Sequence, residues 1–312
     1  SMQHGLWLTG YYNNLDITEY NNILKTNDIP PEIFGNRQRY TSSAWWYCSF
    51  PLDFAKNNGL SIPIFFRGDD AEWSWRACGV QIISMNGICI WHAAFEWRVS
   101  KVADYYYLPR NMFFLNSIYN RNFKTQYSNY FKERYNYLIK TYEYTSLDLL
   151  LKSMKDILKG SNIFRENPEE QFKNVNQIAK QVKYRTATND EIETAKNGHF
   201  KSKKWRKKLV KYIDNSFIKI PKFLFQKHAT VSEWYPPVEA FSLVKEVSVV
   251  NLFTNKTTIR RYYRKRTLYY KKEFYKLLKQ IDNNYDKLHT DYINAHKEFS
   301  TFEFWEKYLE LN

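Results

Sequence analysis

Nowhere in the 312 residues does an apolar run reach the roughly 18 to 20 residues needed to cross a bilayer, and no secretory leader pattern is present. A soluble or membrane-peripheral protein is expected. Cysteine is scarce: Cys48, Cys78 and Cys89 are an odd number without the paired spacing of a zinc site. That excludes a disulfide framework and fits a reducing compartment. Glycine is scarce as well, and none of the nine glycines builds a phosphate-cradling loop. No internal repeat is present.

What the chain has in excess is aromatic residues, 19% of the total, and basic charge, a net +15. The aromatics call for packing, sugar stacking or an interface to account for them. The charge is unevenly placed. Residues 1–110 hold nine basic and ten acidic residues, whereas 111–312 hold 38 and 22, and seven of the ten tryptophans lie in the first part. Two domains of ordinary size are expected from the length, 3–110 and 111–312, with Ser1-Met2 set aside. Lysine outnumbers arginine 32 to 15 in a chain rich in Asn, Ile and Tyr. An AT-rich genome produces the same bias, so the charge alone does not name a partner.

The pattern predicts short α/β alternation followed mostly by helix. Asp16 to Lys25 reads as a helix, Tyr40 to Phe50 as a strand or loop, and Ile62 to Arg67 as a buried strand ending at Gly68. A helix start at Asp69 follows, then strands at Val80 to Met85 and Ile88 to His92 around the turn dipeptide Asn86-Gly87. Beyond Pro109 helices are expected over Asn111–Tyr119, Gln126–Tyr142 and Leu147–Lys159, the last capped by Ser146 and stopped by Gly160. Short β segments such as Val247 to Phe253 fall within 217–259. Two closing helices, Arg264–Asp282 and Asn284–Phe299, precede a turn with Trp305.

The densest chemistry lies between Pro63 and Asn111, where adjacent Asp69 and Asp70, a third acid Glu72, His92 and four tryptophans crowd into 49 residues. Phe65 to Glu72, Gly87 to His92 and Tyr106 to Asn111 together resemble the signature of polymerising galactofuranosyltransferases and related family 2 glycosyltransferases. In that signature an Asp-Asp-x-Glu motif is followed by Gly-x-x-x-Trp-His and Tyr-Tyr-x-x-Arg-Asn. The resemblance implies a GT-A type α/β fold, here the acceptor-side second half of the catalytic domain over 3–110. A basic, mainly helical C-terminal domain over 111–312 would follow, with a small β insertion.

By resemblance, Asp70 is the base that takes the acceptor proton in an inverting transfer, and Asp69 orients the acceptor. Trp45 and Trp46 match a tryptophan pair lining the acceptor groove, where an indole face stacks on a sugar, and Glu72 belongs to the same acceptor side. His92 matches a ligand of a divalent metal, Mn or Mg, that stabilises the departing nucleotide diphosphate. Plainer readings stand beside these. Asp69 and Glu72 also spell a helix capping box, a lone histidine at a strand end is commonly structural, and one of Trp45 and Trp46 can be core. Arg110-Asn111 either orients phosphate or ties the domain to its helical half.

The departure from the family pattern is also specific: no Asp-x-Asp motif stands upstream of Trp45. The expectation is a chain without the donor-binding half, most metal ligands lying on that half, either in a longer protein or on a partner chain. A UDP-sugar donor and a glycan or lipid-linked glycan acceptor are implied as partners in cell-envelope polysaccharide synthesis. The run Lys201 to Ile213, with Lys203, Lys204, Trp205, Arg206, Lys207 and Lys208 at its centre, has the profile of an interfacial helix. It points to a cytoplasmic protein held at the anionic inner face of the cell membrane, although a solvated helix with one core stripe has the same sequence. Arg260 to Lys272 invites the same two readings. Two other classes remain: an inactive glycan-binding module or partner subunit of a split transferase, and a nucleic-acid binder. The last lacks any recognisable module and leaves the acidic, tryptophan-rich run without a role.

Overall fold

The computed structural model describes residues 48–76, 100–197, 225–233 and 236–310. They form a mixed α/β protein, chiefly helical, with one four-stranded sheet. The chain divides into two compact units, Ser1–Val99 with Ile293–Asn312, and Ser100–Tyr292.

In the first unit the described elements are α1 (Leu52–Asn58), α2 (Asp69–Arg76), the last turns of a long helix ending at Phe299, and a short helix, Phe302–Tyr308. The strand expected over Ile62–Arg67 is absent. Ile62, Pro63 and Ile64 are buried as their apolar character demands, but the backbone makes two successive three-residue turns. Ile64 N–H donates to the Ile62 carbonyl at 2.9 Å and Phe66 N–H to the Ile64 carbonyl at 2.6 Å. The second turn puts Phe65 at φ +57°, and Arg67 and Gly68 follow at +70° and +98°. Only glycine adopts such angles without cost, and tight turns of this hand are rare.

The second unit begins with a π-helical turn, Ala103–Tyr107, that runs directly into α3 (Leu108–Tyr119). Pro109 has no N–H to give, and Leu108 N–H reaches back five residues to the Ala103 carbonyl. Next come α4 (Phe123–Lys140), α5 (Tyr144–Ile157) and, after a 3-10 turn at Gly160–Phe164, α6 (Pro168–Ala179). The apolar face of α5, including Leu147, Leu150, Met154 and Ile157, packs against the π-helical turn, α3, α4 and α6. α5 starts three residues before the expected position, so Ser146 is not its cap but a buried residue of its first turn. The expected stop is correct in kind: Gly160 has φ +68°.

Aromatic side chains build this unit's interior. Phe113 meets Phe123, Tyr127, Tyr285 and Tyr292 at centroid distances of 5.4 to 6.3 Å, all of them buried. Packing therefore accounts for much of the aromatic excess. One buried charge cluster interrupts it: Glu143 accepts from Lys101 Nζ at 2.7 Å and pairs with the Arg260 guanidinium.

β1 (Arg185–Thr186), β2 (Gln226–Ser232), β3 (Val244–Asn251) and β4 (Lys256–Arg261) form the sheet in the order β1-β4-β3-β2, and α7 (Asn189–Lys196) follows β1. β2 runs parallel to β3 and the other pairs are antiparallel. Val247, Ser248, Val249 and Val250 are all buried, as a central strand covered on both faces requires. The expected β segment extends further toward the N-terminus than anticipated and ends at Asn251, whose side chain accepts from the Phe253 and Thr254 amides to make the turn.

The two closing helices are one, α8 (Arg264–Phe299), 36 residues long. Tyr270, Phe274, Leu277, Ile281, Tyr285, Leu288, Tyr292, Ala295 and Phe299 are buried at steps of three and four. That stripe passes through Asn283-Asn284 unbroken, and the weak helix preference of two asparagines, under about 0.7 kcal/mol each relative to Ala, does not outweigh it. The terminal turn with Trp305 is a helix, α9 (Phe302–Tyr308), capped by the Thr301 hydroxyl.

Candidate functional site

The acidic motif sits where the strained turn hands over to α2. Gly68 is the residue before the helix, and its carbonyl accepts the Glu72 N–H at 2.9 Å. Asp69 and Asp70 thus occupy the first turn of α2, and both are only partly buried. Asp70 Oδ1 accepts from the Ala71 N–H at 2.8 Å. Burial raises the Asp70 pKa above the ordinary carboxylate value and the charge of Asp69 adds to the rise. The Ala71 amide, the Asp70 amide and the Arg67 charge oppose it without cancelling it. A carboxylate held in this way is a stronger base than one in water.

Glu72 faces the other way. Its side chain is fully buried. Arg76 donates to it twice, Nε to Oε1 at 3.0 Å and Nη2 to Oε2 at 2.7 Å, and His296 Nε2 lies 2.7 Å from Oε1. Burial alone would raise its pKa. The His296 hydrogen bond and the charge and hydrogen bond of Arg76 prevail and hold its carboxyl below the usual range. The capping box is therefore not formed, because the helix already begins at Asp69 and the Glu72 oxygens are engaged on its far side. Glu72 is thus buried and engaged by Arg76 and His296 in the described structure.

Around this pair the first unit is tied by backbone contacts. Arg76 Nη1 donates to the carbonyls of Asn58 and Leu60 at 2.8 and 2.7 Å. Leu60 N–H donates to the Ser300 carbonyl at 2.8 Å, and Trp305 Nε1 to the Ser61 carbonyl at 2.8 Å. Gly59, at φ +77°, lies so close to Ser300 that an added Cβ would stand 2.6 Å from its carbonyl oxygen. Trp73 is core rather than groove: it packs on Phe50 and Phe54 at 5.2 and 5.7 Å, with the Arg76 guanidinium over its ring.

Of the other expected residues, Trp45, Trp46, His92 and the run Lys203, Lys204, Trp205, Arg206, Lys207 and Lys208 lie outside the described residues. Among the described residues no three metal-ligating side chains come together. Arg110 is buried within the helical unit. Only 2% exposed, it lies against the Tyr106, Tyr107 and Phe164 rings at 4.8 to 5.3 Å and donates to Gln171 and Asn111. The residues that sequence reasoning missed are Arg76 and His296. Arg76 was within reach, four residues after Glu72 on a helix, whereas His296 lies 224 residues away and carries no local signal.

No protein-family model matches the chain. Part of it is similar to two curated proteins. Over 127 residues, 39% of this chain, it is 26% identical to the galactofuranosyltransferase GlfT2 of Mycolicibacterium smegmatis. Over 83 residues, 26% of this chain, it is 30% identical to the galactofuranosyltransferase GlfT2 of Mycobacterium tuberculosis. These matches span a fifth and about an eighth of the two relatives' lengths.

Proposed function

We propose that this chain carries the acceptor-side acids of an inverting glycosyltransferase of galactofuranosyltransferase type, with a GT-A type domain around Asp69 and Asp70. The observation that carries it is the division of labour within Asp-Asp-Ala-Glu: two acids stay partly open at a helix start, and the third is buried as their anchor. The partial likeness to two galactofuranosyltransferases supports the same class.

In this reading Asp70 takes the proton of an acceptor hydroxyl as its oxygen bonds to the anomeric carbon of the donor sugar. The bond from that carbon to the nucleotide diphosphate breaks with inversion. Asp69 accepts hydrogen bonds from neighbouring acceptor hydroxyls and fixes their direction. The donor is a UDP-sugar and the acceptor a glycan or lipid-linked glycan. Trp45, Trp46 and His92 complete the proposed site, His92 as ligand of a divalent metal whose chemistry is to stabilise the leaving diphosphate. The described residues do not themselves make up a metal site, and the proton transfer above uses the carboxylates alone. The nucleotide-sugar site belongs to a donor half, in a longer protein or on a partner chain. The basic run around Trp205 holds the protein at the inner face of the cell membrane.

The test uses the chain together with a donor half, supplied with UDP-galactofuranose and a galactofuranosyl oligosaccharide. Asp70→Asn should lower kcat at least a thousandfold with nucleotide-sugar affinity within a few fold, since the base acts on the acceptor. Asp69→Asn should raise KM for the acceptor. Activity within tenfold of wild type in Asp70→Asn removes that residue from the role. Acceptor binding without transfer in the wild type would favour a glycan-binding module.

A further inference from the structure

The C-terminal end of α8 reaches the acidic motif through one contact that no local pattern announces. His296 Nε2 lies 2.7 Å from Glu72 Oε1, inside the same compact unit as α2. Glu72 is ionised, because its carboxyl is held below the usual range, and an ionised carboxylate only accepts hydrogen bonds. The proton of that bond is therefore on Nε2.

This contact is part of a longer seam. Leu60 N–H donates to the Ser300 carbonyl, Trp305 Nε1 donates to the Ser61 carbonyl, and Gly59 leaves room for Ser300 where any side chain would collide. Arg76 closes the seam from the α2 side, bonded to Glu72 through two nitrogens and to Asn58 and Leu60 through a third. Glu72 is two residues beyond Asp70 on a helix of eight, so whatever fixes Glu72 fixes the rotation of the turn that bears Asp69 and Asp70. The turn before it cannot do so alone, because it passes through Phe65 and Arg67 in the left-handed region.

We infer that His296 is a positioning residue for the acceptor site: through Glu72 it sets the direction in which Asp69 and Asp70 meet the acceptor. This rests on the role proposed above for the two aspartates and adds to it a residue from the far end of the chain. His296 acts on the two aspartates through Glu72 and α2.

Two readouts on the full chain test it: calorimetry with a galactofuranosyl oligosaccharide, and hydrogen exchange of the 69–76 amides. His296→Ala should weaken oligosaccharide binding at least tenfold and speed exchange across 69–76. His296→Gln, which keeps a side-chain N–H donor of similar reach, should restore both to within about threefold of wild type. Lys297→Ala, next in sequence and exposed, should change neither. If His296→Ala does not fold, His296→Asn, one methylene shorter than the glutamine, takes its place in the comparison. A wild-type chain that binds and a His296→Ala chain that binds equally well would overturn the positioning role and leave the proposed function standing. Equal weakening in the alanine and glutamine variants would also overturn it, since the donor would then be irrelevant. A wild-type chain that binds no galactofuranosyl oligosaccharide would remove the proposed function, and the positioning role with it.

Discussion

Glu143 shows how much one residue can hold inside a protein so rich in aromatics. It is buried, its oxygens lie against Lys101 and Arg260, and its neighbours are tyrosines and leucines. Burial pushes its pKa up, but the charges of Arg260 and Lys101 and the Lys101 hydrogen bond bring it down to about 2. A carboxyl lowered on folding stabilises the native state above its unfolded value and gives that up as acid protonates it. The contribution should be whole above about pH 4.5 and should fade as pH drops toward 2. Thermal melts in acid should show this loss, and Glu143→Ala should lack it. At neutral pH that variant should be less stable by about 3 to 5 kcal/mol, because it strands two buried cations. A melt unchanged from wild type at pH 7 would show that the cluster is worth little.

Among the elements, α8 makes the sharpest case. Its buried stripe predicts that Ile281→Ala, at a fully buried position, costs about 2 to 5 kcal/mol. Asn283→Ala, exposed on the same turn, should instead stabilise by a few tenths of a kcal/mol. Circular dichroism on heating should separate the two, and a stabilised Ile281→Ala would refute the stripe. The same helix shows what the sequence made legible. The 3.6-residue rhythm that located α3, α4 and α8 is written in local spacing, and so is the helix start at Asp69. The break expected at Asn283 does not occur, because the helix preference of asparagine is weak against nine buried positions in register. The strand at Ile62 failed for a related reason. Apolarity there is real and the residues are buried, but apolarity alone does not choose between an extended backbone and a chain of tight turns. The site followed the same rule. Asp69 and Asp70 were readable because adjacent acids are conspicuous, whereas the use of Glu72 depends on a histidine brought in by tertiary folding.

At the scale of the whole molecule, charge is the feature with consequences still to measure. The excess of basic residues beyond position 110 and the Lys203–Lys208 run predict binding to vesicles containing anionic lipid and little to neutral ones. Trp205→Ala should weaken that binding about as much as loss of one or two of the lysines, because apolar insertion and charge act together. Co-sedimentation at physiological salt is the measurement. Steeply salt-dependent capture of nucleic acid, with no vesicle binding, would displace the membrane assignment.

The pairing of Glu72 with His296 also has a consequence in time. Protein chains emerge from the ribosome N-terminus first, at roughly 5 to 20 residues per second. The 224 residues between the two partners therefore impose a delay of roughly 10 to 45 seconds at that rate. Throughout that interval α2 waits with a carboxylate that its partner has not yet reached. The nascent helix is then exposed to chaperones and proteases until His296 arrives. Slow codons placed after position 100 would lengthen that exposure without altering a single side chain.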